Sequence, residues 1–325
     1  MNRGDSAAMG YIPGRPSNSS ERNHMSPEAE SLPNSVSIFD GKTLSGWRPV
    51  PRTFGAAYPG GPSIMDALDL IGMDKLEIDI AGPIVWEPEK NAAVWTVEDG
   101  AIVGRQNFPG SGYGGWLVSE KTYGDFELVL EAKPDWPADT GILLRRRADD
   151  WAGFQVLLDH REYGGIGGFY GNGLASFSAL PFSIRSVVDG DGAVIGIEAD
   201  DPATSLDPVT DEKISRLSYA AKAEDFLDVW RWNDWNEIRI RCVGASPVLT
   251  TWVNGLKIAE LDTATIDSPH YSPEGVLEWL GPRGHIALEV HDNDPIMGEA
   301  RWGRGAACRW RNITITELGS EGALA

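Results

Sequence analysis

Apolar and polar residues alternate along short segments through most of the chain. In Trp95–Val103, two short apolar runs flank the pair Asp99-Gly100, which is a strong signal of a β-hairpin. A period of two is typical of strands that bury one face. It recurs in segments 126–133, 141–147, 153–160, 237–243, 248–253, 285–291 and 307–317. Many short strands joined by polar turns predict an all-β sandwich, jelly roll or barrel.

Two longer segments interrupt this alternation. Residues 51–92 include a predicted helix at Ile64–Met73, and residues 185–233 include a predicted helix at Asp211–Leu227 with one apolar face. We expect both segments to be insertions at one rim of the sheets, where long loops often determine substrate selectivity. The alternatives are that they cover a sheet edge or form a dimer contact.

The charge balance limits the classes of partner. The chain of 325 residues has 28 Lys and Arg against 48 Asp and Glu, a net charge of −20, so phosphate backbones and anionic membranes would repel it. We therefore expect neither a nucleic-acid nor a membrane partner. Only Cys242 and Cys308 are present, which excludes a disulfide scaffold and a four-cysteine zinc site, although a single bridge stays open. The 13 Trp residues favour a sugar-binding β-protein with aromatic platforms.

The two ends of the chain differ from its middle. Residues 1–34 are rich in Ser, Pro, Asn and Gly, which predicts a disordered or surface-wrapping arm, and residues 319–325 form a short tail. No apolar run has the character of a signal-peptide core or the length of a transmembrane helix. We therefore expect a cytoplasmic protein.

Ten short fragments, taken in order, resemble a known family. They are Ser37–Trp47, Trp95–Gly104, Tyr123–Leu128, Thr140–Arg145, Gly153–Val156, Tyr170-Gly171, Trp235–Arg239, Trp252–Gly255, Gly284–His291 and Trp310–Ile313. Together they are similar to the 3-keto-disaccharide hydrolase-like family across residues 37–317. The resemblance implies one domain at about 35–318 that contains the two insertions and folds as a concanavalin A-like jelly-roll β-sandwich. It also implies action on glycosides that carry a ketone at carbon 3, with cytoplasmic members acting beside a sugar dehydrogenase.

This resemblance implies a chemistry that differs from ordinary glycoside hydrolysis. A ketone at carbon 3 acidifies the hydrogen on carbon 2, so a base can remove that proton and the carbon-1 substituent then leaves by β-elimination. Water can add to the product afterwards. The reaction needs a proton acceptor, a cation or hydrogen-bond donor facing the enediolate oxygen, and an acid for the leaving oxygen. We therefore expect a 3-keto-glycoside hydrolase or β-eliminating lyase.

Two alternatives belong to other functional classes. The same fold can serve as a non-catalytic, lectin-like carbohydrate-binding module, because fold does not decide function. A conventional hydrolase of unoxidised β-glucans would carry two carboxylates close together on one strand. The sequence contains no Glu-x-Asp-x-x-Glu motif of that kind.

Strand alternation selects the candidate site residues. If the apolar face of each strand points into the core, the other face points into a cleft. By this parity the cleft would hold Glu131, Arg145, Gln155, Asp159, Glu289 and His291.

Three of these residues have the chemistry that the reaction needs. His291 is the preferred base or acid, because imidazole titrates near neutral pH and the family pattern has a histidine there. Asp159 would act as the base itself or orient the histidine, unless it is only a strand-end turn residue. Arg145 would polarise the ketone or stabilise the enediolate, unless it pairs with Glu131 across the sheet.

The remaining candidates are expected to bind the substrate. They are Glu131, Gln155, Tyr170, Glu289 and His160. Family members often carry glutamate where Gln155 stands and glutamine where Glu289 stands, which puts a catalytic role for Gln155 in doubt.

No cofactor is expected. The minority alternative is a divalent cation held by His160, Asp159, His291, Glu289 and Asp292, but no compact metal-ligand motif is present. The expected partner is a small sugar substrate, and a homo-oligomer stays open.

Overall fold

This computed structural model describes residues 34–52, 93–107, 109–148, 151–293 and 297–319. Three predictions fall wholly or largely on other residues. The arm up to residue 33, nearly all of the first insertion with its helix at Ile64–Met73, and the tail from residue 320 lie outside the described residues.

Short strands dominate the described part of the chain. In chain order they are β1 (Val36–Ser37), β2 (Trp47–Pro51), β3 (Val94–Glu98), β4 (Ala101–Arg105), β5 (Gly115–Tyr123), β6 (Phe126–Pro134), β7 (Gly141–Arg146), β8 (Gly153–Leu158), β9 (Ile166–Asn172), β10 (Ser178–Ala179), β11 (Ile184–Val188), β12 (Val194–Ala199), β13 (Tyr219–Ala220), β14 (Asn236–Val243), β15 (Val248–Val253), β16 (Leu256–Asp262), β17 (Gly284–Val290) and β18 (Ala307–Glu317). Among the described residues, three short α-helices accompany them, namely α1 (Asp211–Ser215), α2 (Ala223–Val229) and α3 (Pro273–Leu280).

The strands form two large antiparallel sheets and one small one. The nine-stranded sheet has the order β13-β16-β15-β14-β6-β18-β4-β3, with β1 also paired to β18. The seven-stranded sheet has the order β10-β9-β8-β7-β17-β5-β2, and β11 and β12 pair with each other. Neighbouring strands in the large sheets are often distant in sequence, as in a jelly roll. The predicted all-β jelly-roll sandwich is confirmed.

The core lies between the two large sheets. Leu128 and Ile240 from the nine-stranded sheet and Phe154 and Leu288 from the seven-stranded sheet are all buried in one apolar cluster. Each such side chain contributes roughly 1.5–3 kcal/mol when it is fully buried. On β8 and β17, the residues that alternate with these core positions lie on the outer face of the seven-stranded sheet, and that face carries the candidate site.

The predicted hairpin at Trp95–Val103 is confirmed as β3 and β4. Its turn residues Asp99 and Gly100 have φ angles of 49° and 78°. Positive φ at both positions is the requirement of a type I′ turn, which Asp-Gly satisfies with little strain.

The prediction of one helix at Asp211–Leu227 is wrong. The segment forms α1 and α2 with strand β13 between them. The backbone N–H groups of Ser218 and Ala221 donate to the carbonyl oxygens of Glu260 and Ile258 on β16, at 2.9 and 2.8 Å. Donors that are bonded to a sheet edge cannot also continue a helix, so tertiary pairing overrides the helical spacing of the apolar residues.

The second insertion also holds the loop that follows β8. The N–H of Tyr163 donates to the Ile184 carbonyl oxygen at 2.9 Å, and the N–H of Ile184 donates to the Gly164 carbonyl oxygen at 2.9 Å. Glu162 accepts hydrogen bonds from the backbone N–H and the hydroxyl of Ser186. The hairpin of β11 and β12 therefore fixes the loop at 159–164, which carries two site residues.

Candidate active site

Strand direction brings four segments to one edge of the seven-stranded sheet. Each neighbouring pair in the row β2-β5-β17-β7-β8 is antiparallel, so β2, β8 and β17 end at the edge where β7 begins. Arg52 follows β2, Asp159 follows β8, His291 follows β17 and Asp139 precedes β7. With Arg161, Glu289, Asp292 and Arg301, these residues form what we call the edge cluster.

Asp139 links two arginines in this cluster. Its Oδ2 lies 2.9 Å from Arg161 Nε and 2.5 Å from Arg301 Nη1, and the residue is 3% exposed. Burial by itself would raise the pKa of Asp139, but the neighbouring charges, led by Arg161, lower it below its usual value. Asp139 is therefore ionised at neutral pH.

Asp159 lies beside Asp139, and its pKa moves in the opposite direction. The two carboxyl groups share a hydrogen bond, and Asp159 Oδ2 is 3.7 Å from Arg161 Nη2. Burial and the negative charge of Asp139 raise the pKa of Asp159 well above its ordinary value. Asp159 therefore keeps its proton to a higher pH than Asp139 does.

His291 is a neutral base in this arrangement. Its Nδ1 lies 2.6 Å from the backbone carbonyl oxygen of Asp292, which can only accept, so Nδ1 carries the proton. The lone pair is then on Nε2, which is 3.5 Å from Arg301 Nη1. Burial and the charge of Arg52 lower the pKa of His291 well below 6.5, so the ring is neutral at pH 7.

Glu289 forms the floor of the cluster. It accepts hydrogen bonds from Arg52 Nη1 and Gln155 Nε2, and it is 0% exposed. Arg52 Nε also lies 2.6 Å from Asp292 Oδ1. Burial outweighs the attraction of Arg52 and raises the pKa of Glu289 to about 8.

A glycine makes room for the hydrogen bond between Gln155 and Glu289. Gly141 lies on β7, between the strands that carry these two residues. A Cβ atom at Gly141 would collide with Gln155 Nε2 and would lie 2.8 Å from the Val156 carbonyl oxygen. The amide of Gln155 continues the chain of contacts, since its Oε1 accepts from Asn172 Nδ2 at 2.5 Å.

A family model matches this chain over nearly all of its described length. The model, described as the 3-keto-alpha-glucoside-1,2-lyase-like domain, matches residues 34–316. The chain belongs to this family. No curated protein matches the chain in sequence.

Solved structures similar to this lyase-like domain are distant in sequence. Two proteins from Parabacteroides distasonis ATCC 8503, both provisionally described as glycosyl hydrolases, are 19% and 13% identical and each have a TM-score of 0.39. The first comparison covers 69% of this chain and 90% of the other, and the second covers 88% and 94%. The carbohydrate-binding module CBM66 from Bacillus subtilis is 13% identical with a TM-score of 0.35, over 69% of this chain and 91% of the other.

The structure of the lyase-like domain brings several predicted residues together. Asp159, Glu289 and His291 belong to the edge cluster, and Gln155 contacts it through Glu289. Tyr170 lies opposite Gln155 in the pairing of β8 with β9, and burial raises the pKa of its hydroxyl.

Glu131 does not lie on this face, so its placement by parity was wrong. It belongs to β6 in the nine-stranded sheet, where it accepts from Arg311 Nε at 2.8 Å and from the amide of Asn312. Alternation shows which residues of one strand share a face, but it does not show to which sheet the strand belongs.

Arg145 was also misplaced. It lies at the far end of β7 from Asp139, and at about 3.3 Å per residue the two Cα atoms are roughly 20 Å apart. Its φ of 54° breaks the regular strand, so parity does not apply there. The side chain is 1% exposed and donates to the carbonyl oxygens of Pro282 and Gly244 and to Asp125.

His160 points away from the edge cluster. Its ring packs against Trp136, Trp230 and Trp232, and its Nδ1 is 3.0 Å from the Asp135 carbonyl oxygen. Since His160 and Asp159 are consecutive, their side chains diverge.

Within the described ranges, no three His, Cys, Asp or Glu side chains are close enough to hold a metal ion.

Sequence reasoning missed Arg52, Asp139, Arg161 and Arg301. These residues lie in loops or at strand ends, where period-two alternation gives no signal. Their only mark in the sequence is a position next to a predicted strand or a candidate residue, such as Arg161 two positions after Asp159.

No helix among the described residues is long and apolar enough to span a membrane.

Proposed function

We propose that this domain cleaves 3-keto-glycosides by removing the proton on carbon 2 and eliminating the substituent on carbon 1. One observation supports this most directly. A buried cluster in a member of this family combines a histidine whose pKa is lowered with an aspartic acid whose pKa is raised. Two titratable groups whose pKa values are moved apart by their surroundings are suited to act as base and acid.

The reaction proceeds in two stages. The base removes the carbon-2 proton, and the electrons of that C–H bond form a C2–C3 double bond while the carbon-3 oxygen becomes negative. The ketone then forms again, a C1–C2 double bond appears, and the C1–O bond breaks. The leaving oxygen takes a proton from the acid. Addition of water at carbon 1, with return of a proton to carbon 2, gives the hydrolysis product.

His291 is assigned as the base. Its Nε2 has the lone pair, because Nδ1 donates to the Asp292 carbonyl oxygen. The lowered pKa of His291 keeps this lone pair available at pH 7. The ketone supplies the complementary effect, since it makes the carbon-2 proton acidic enough for a weak base.

Asp159 is assigned as the acid for the leaving oxygen. Its raised pKa favours the protonated form, and the shared hydrogen bond with Asp139 orients the carboxyl group. Asp139 is fixed in turn by Arg161 and Arg301. Asp139 is therefore a positioning residue in this proposal.

Arg301 replaces Arg145 as the cation that stabilises the enediolate. The oxygen that becomes negative is on the carbon next to the one that loses its proton, so the stabilising cation must lie beside the base. Arg301 Nη1, at 3.5 Å from His291 Nε2, meets this requirement. An arginine is always protonated, and its planar fork can donate hydrogen bonds to the two adjacent oxygens of an enediolate.

Tyr170 is assigned to the sugar hydroxyls, and Gln155 and Glu289 to a supporting role, since both ends of the Gln155 amide are bonded within the protein. Because Glu289 is 0% exposed, it holds Arg52 and Gln155 in place rather than contacting the sugar. The proposed elimination involves no net oxidation, so it requires no redox cofactor. Its substrate must come from a reaction that oxidises carbon 3 of a glycoside, which is the chemistry of a sugar dehydrogenase.

The test compares a 3-keto-glycoside with its unoxidised parent. The full-length protein is incubated with each compound, and the released leaving group is measured by chromatography. Release from the keto compound alone supports the proposal. Equal release from both compounds would indicate ordinary hydrolysis, and tight binding without release would indicate a lectin-like module.

A further inference from the structure

A buried glutamine joins the segment between β4 and β5 to the residues that follow β17. Gln106 is 5% exposed, and its Nε2 donates to the backbone carbonyl oxygen of His291 at 3.1 Å. Its Oε1 accepts from the backbone N–H of Gly112 at 3.2 Å. The carbonyl oxygen of Gly112 accepts in turn from the N–H of Asn293 at 2.9 Å. One amide side chain therefore bonds to two main-chain segments at once.

This contact begins where the regular sheet pairing ends. The antiparallel pairing of β17 with β5 runs as far as Val290, opposite Gly115. His291 is the next residue, so its main chain lies beyond the last pair of that ladder. Strand ends fray unless other groups bond to their backbone donors and acceptors. Gln106 does this for the carbonyl oxygen of His291.

A glycine lets the same main chain pass close to this segment. A Cβ atom at Gly114 would collide with the Val290 carbonyl oxygen and would lie 2.5 Å from the backbone nitrogen of Asp292. Only glycine permits so close an approach of two backbones. Gln106 and Gly114 therefore fix the main chain of residues 290–293, the first by hydrogen bonding and the second by close contact.

The side chain of the proposed base follows its main chain. His291 Nδ1 lies 2.6 Å from the carbonyl oxygen of the next residue, Asp292, so the ring is bonded to this backbone. Asn293 extends the arrangement, because its Nδ2 donates to the Trp302 carbonyl oxygen at 3.2 Å. Trp302 follows Arg301, whose Nη1 lies 3.5 Å from His291 Nε2. The distance between base and cation therefore depends on where the main chain after β17 lies.

We propose that Gln106 is a positioning residue, which holds the base His291 at its working distance from Arg301. It acts through the main chain of His291 and not by contact with the substrate. Its effect on turnover rests on the proposed function, but its contact with His291 can be tested without a substrate. A displacement of about 1 Å at a reacting group can lower a rate by about 10²-fold. Loss of the Gln106 amide should therefore lower kcat and leave KM nearly unchanged.

The first experiment compares two buried amides. Gln106→Met replaces the amide by an apolar side chain of similar length, and it should lower kcat for a 3-keto-glycoside by about 10–100-fold. Asn236→Leu makes the matched change in the nine-stranded sheet, where Asn236 is 0% exposed and bonds to the backbone N–H and carbonyl oxygen of Arg231. It should lower the melting temperature and leave kcat unchanged. An unchanged kcat in Gln106→Met would overturn the assignment.

A double-mutant cycle shows whether Gln106 acts through His291. In the His291→Gln background the base is already absent, so Gln106→Met should cause no further loss of the residual rate. A merely structural contribution would lower the rate by the same factor in both backgrounds, and that result would contradict a positioning role. Thermal unfolding identifies any variant that fails to fold. Gln106→Asn keeps the amide on a side chain that is one carbon shorter, and it replaces Gln106→Met in that case with the same expected direction.

NMR spectroscopy tests the contact without a substrate. The ring signals of His291 are identified from their loss in His291→Gln. Gln106→Met should shift these signals and leave those of the exposed His270 in place. If wild type cleaves no 3-keto-glycoside but the His291 signals shift, the proposed function fails and the contact stands. If wild type cleaves the substrate and the His291 signals stay in place, the role of Gln106 fails and the proposed function stands.

Discussion

Two glutamate–arginine pairs in this protein consist of the same residue types, but the pKa of the glutamate is lowered in one pair and raised in the other. Glu98 and Arg105 lie at the surface, with their oxygen and nitrogen atoms 2.7 and 2.8 Å apart, and the hydrogen bonds from Arg105 lower the pKa of Glu98 to about 2. Glu289 is also bonded to an arginine, Arg52, yet burial raises its pKa to about 8. The partner is the same in kind, so the difference comes from the loss of water around Glu289.

This difference explains why the edge cluster suits proton transfer. Water stabilises ions at the surface, and an exposed pair there contributes little to folding. Inside the protein the same ions lose that hydration, and an imbalance of charge moves protons between neighbouring groups. Asp139 and Asp159 show the result, since the pKa of the first is lowered and that of the second is raised although they are neighbours. Partly exposed pairs on the nine-stranded sheet, such as Arg311 with Glu131, lack this environment.

The largest expected effect comes from removing the base of the edge cluster. His291→Gln should lower kcat by about 10³-fold, because glutamine cannot accept the carbon-2 proton. Release of the leaving group from a 3-keto-glycoside measures the effect. His270→Gln is the matched control at an exposed position and should retain full activity. Equal rates in wild type and His291→Gln would refute the assignment of the base.

The acid can be tested by substitution and by pH. Asp159→Asn should lower kcat by about 10²-fold for a poor leaving group, whereas Glu98→Gln in the exposed pair should have no effect. In wild type, kcat should fall as the pH rises through the raised pKa of Asp159, because the acid works only while protonated. On the acidic side kcat should hold to well below pH 6.5, where His291 becomes protonated. A rate that falls already as the pH drops through 6.5 would contradict this order.

The free energy of unfolding should depend on pH in opposite directions for the two glutamate–arginine pairs. The pKa of Glu289 is raised from 4.5 to about 8, so its contribution is complete below pH 4.5 and is lost as the pH rises through 8. Glu289→Gln removes this loss. Between pH 4.5 and about 8, the free energy of unfolding of the variant should therefore rise relative to that of wild type by about 1.4 kcal/mol per pH unit. Urea denaturation at a series of pH values measures it.

The exposed pair should show the reverse dependence in the same experiment. The pKa of Glu98 is lowered from 4.5 to about 2, so its contribution is present above pH 4.5 and is lost as the pH falls through 2. Between pH 4.5 and 8 the free energy of unfolding of Glu98→Gln should therefore differ from that of wild type by a constant amount. The same trend in both variants would show that burial does not separate the two pairs.

The smallest effect concerns the space beneath Glu289. Gly141→Ala should destabilise the protein by about 1–3 kcal/mol, because its methyl group displaces Gln155 from Glu289. Gly196→Ala is the matched strand control, since a Cβ there meets no atom within 4 Å. Thermal unfolding compares the two variants. A destabilisation no greater at Gly141 than at Gly196 would remove the role assigned to Gly141.

The sequence predicts local features of this molecule better than the arrangement of the site. Asp99-Gly100 defines its hairpin because turn chemistry is local. Alternation places Asp159 and Glu289 on the outer face, although the pairing register shifts earlier in both strands. The predicted positions of Glu131 and Arg145 are wrong for reasons that alternation cannot reveal. The strand of Glu131 belongs to the other sheet, and Arg145 has a positive φ that interrupts its strand. The arginines of the edge cluster come from loops, so only the fold brings them together.

The most direct test of the account is the fate of the hydrogen on carbon 2. A 3-keto-glycoside with deuterium at that carbon is cleaved by the wild-type protein, and both the rate of release and the deuterium content of the product are measured against a reaction without enzyme. If His291 removes this hydrogen, the labelled substrate reacts more slowly than the unlabelled one and its deuterium passes to water. Equal rates, with deuterium retained at carbon 2, would contradict the proposed mechanism.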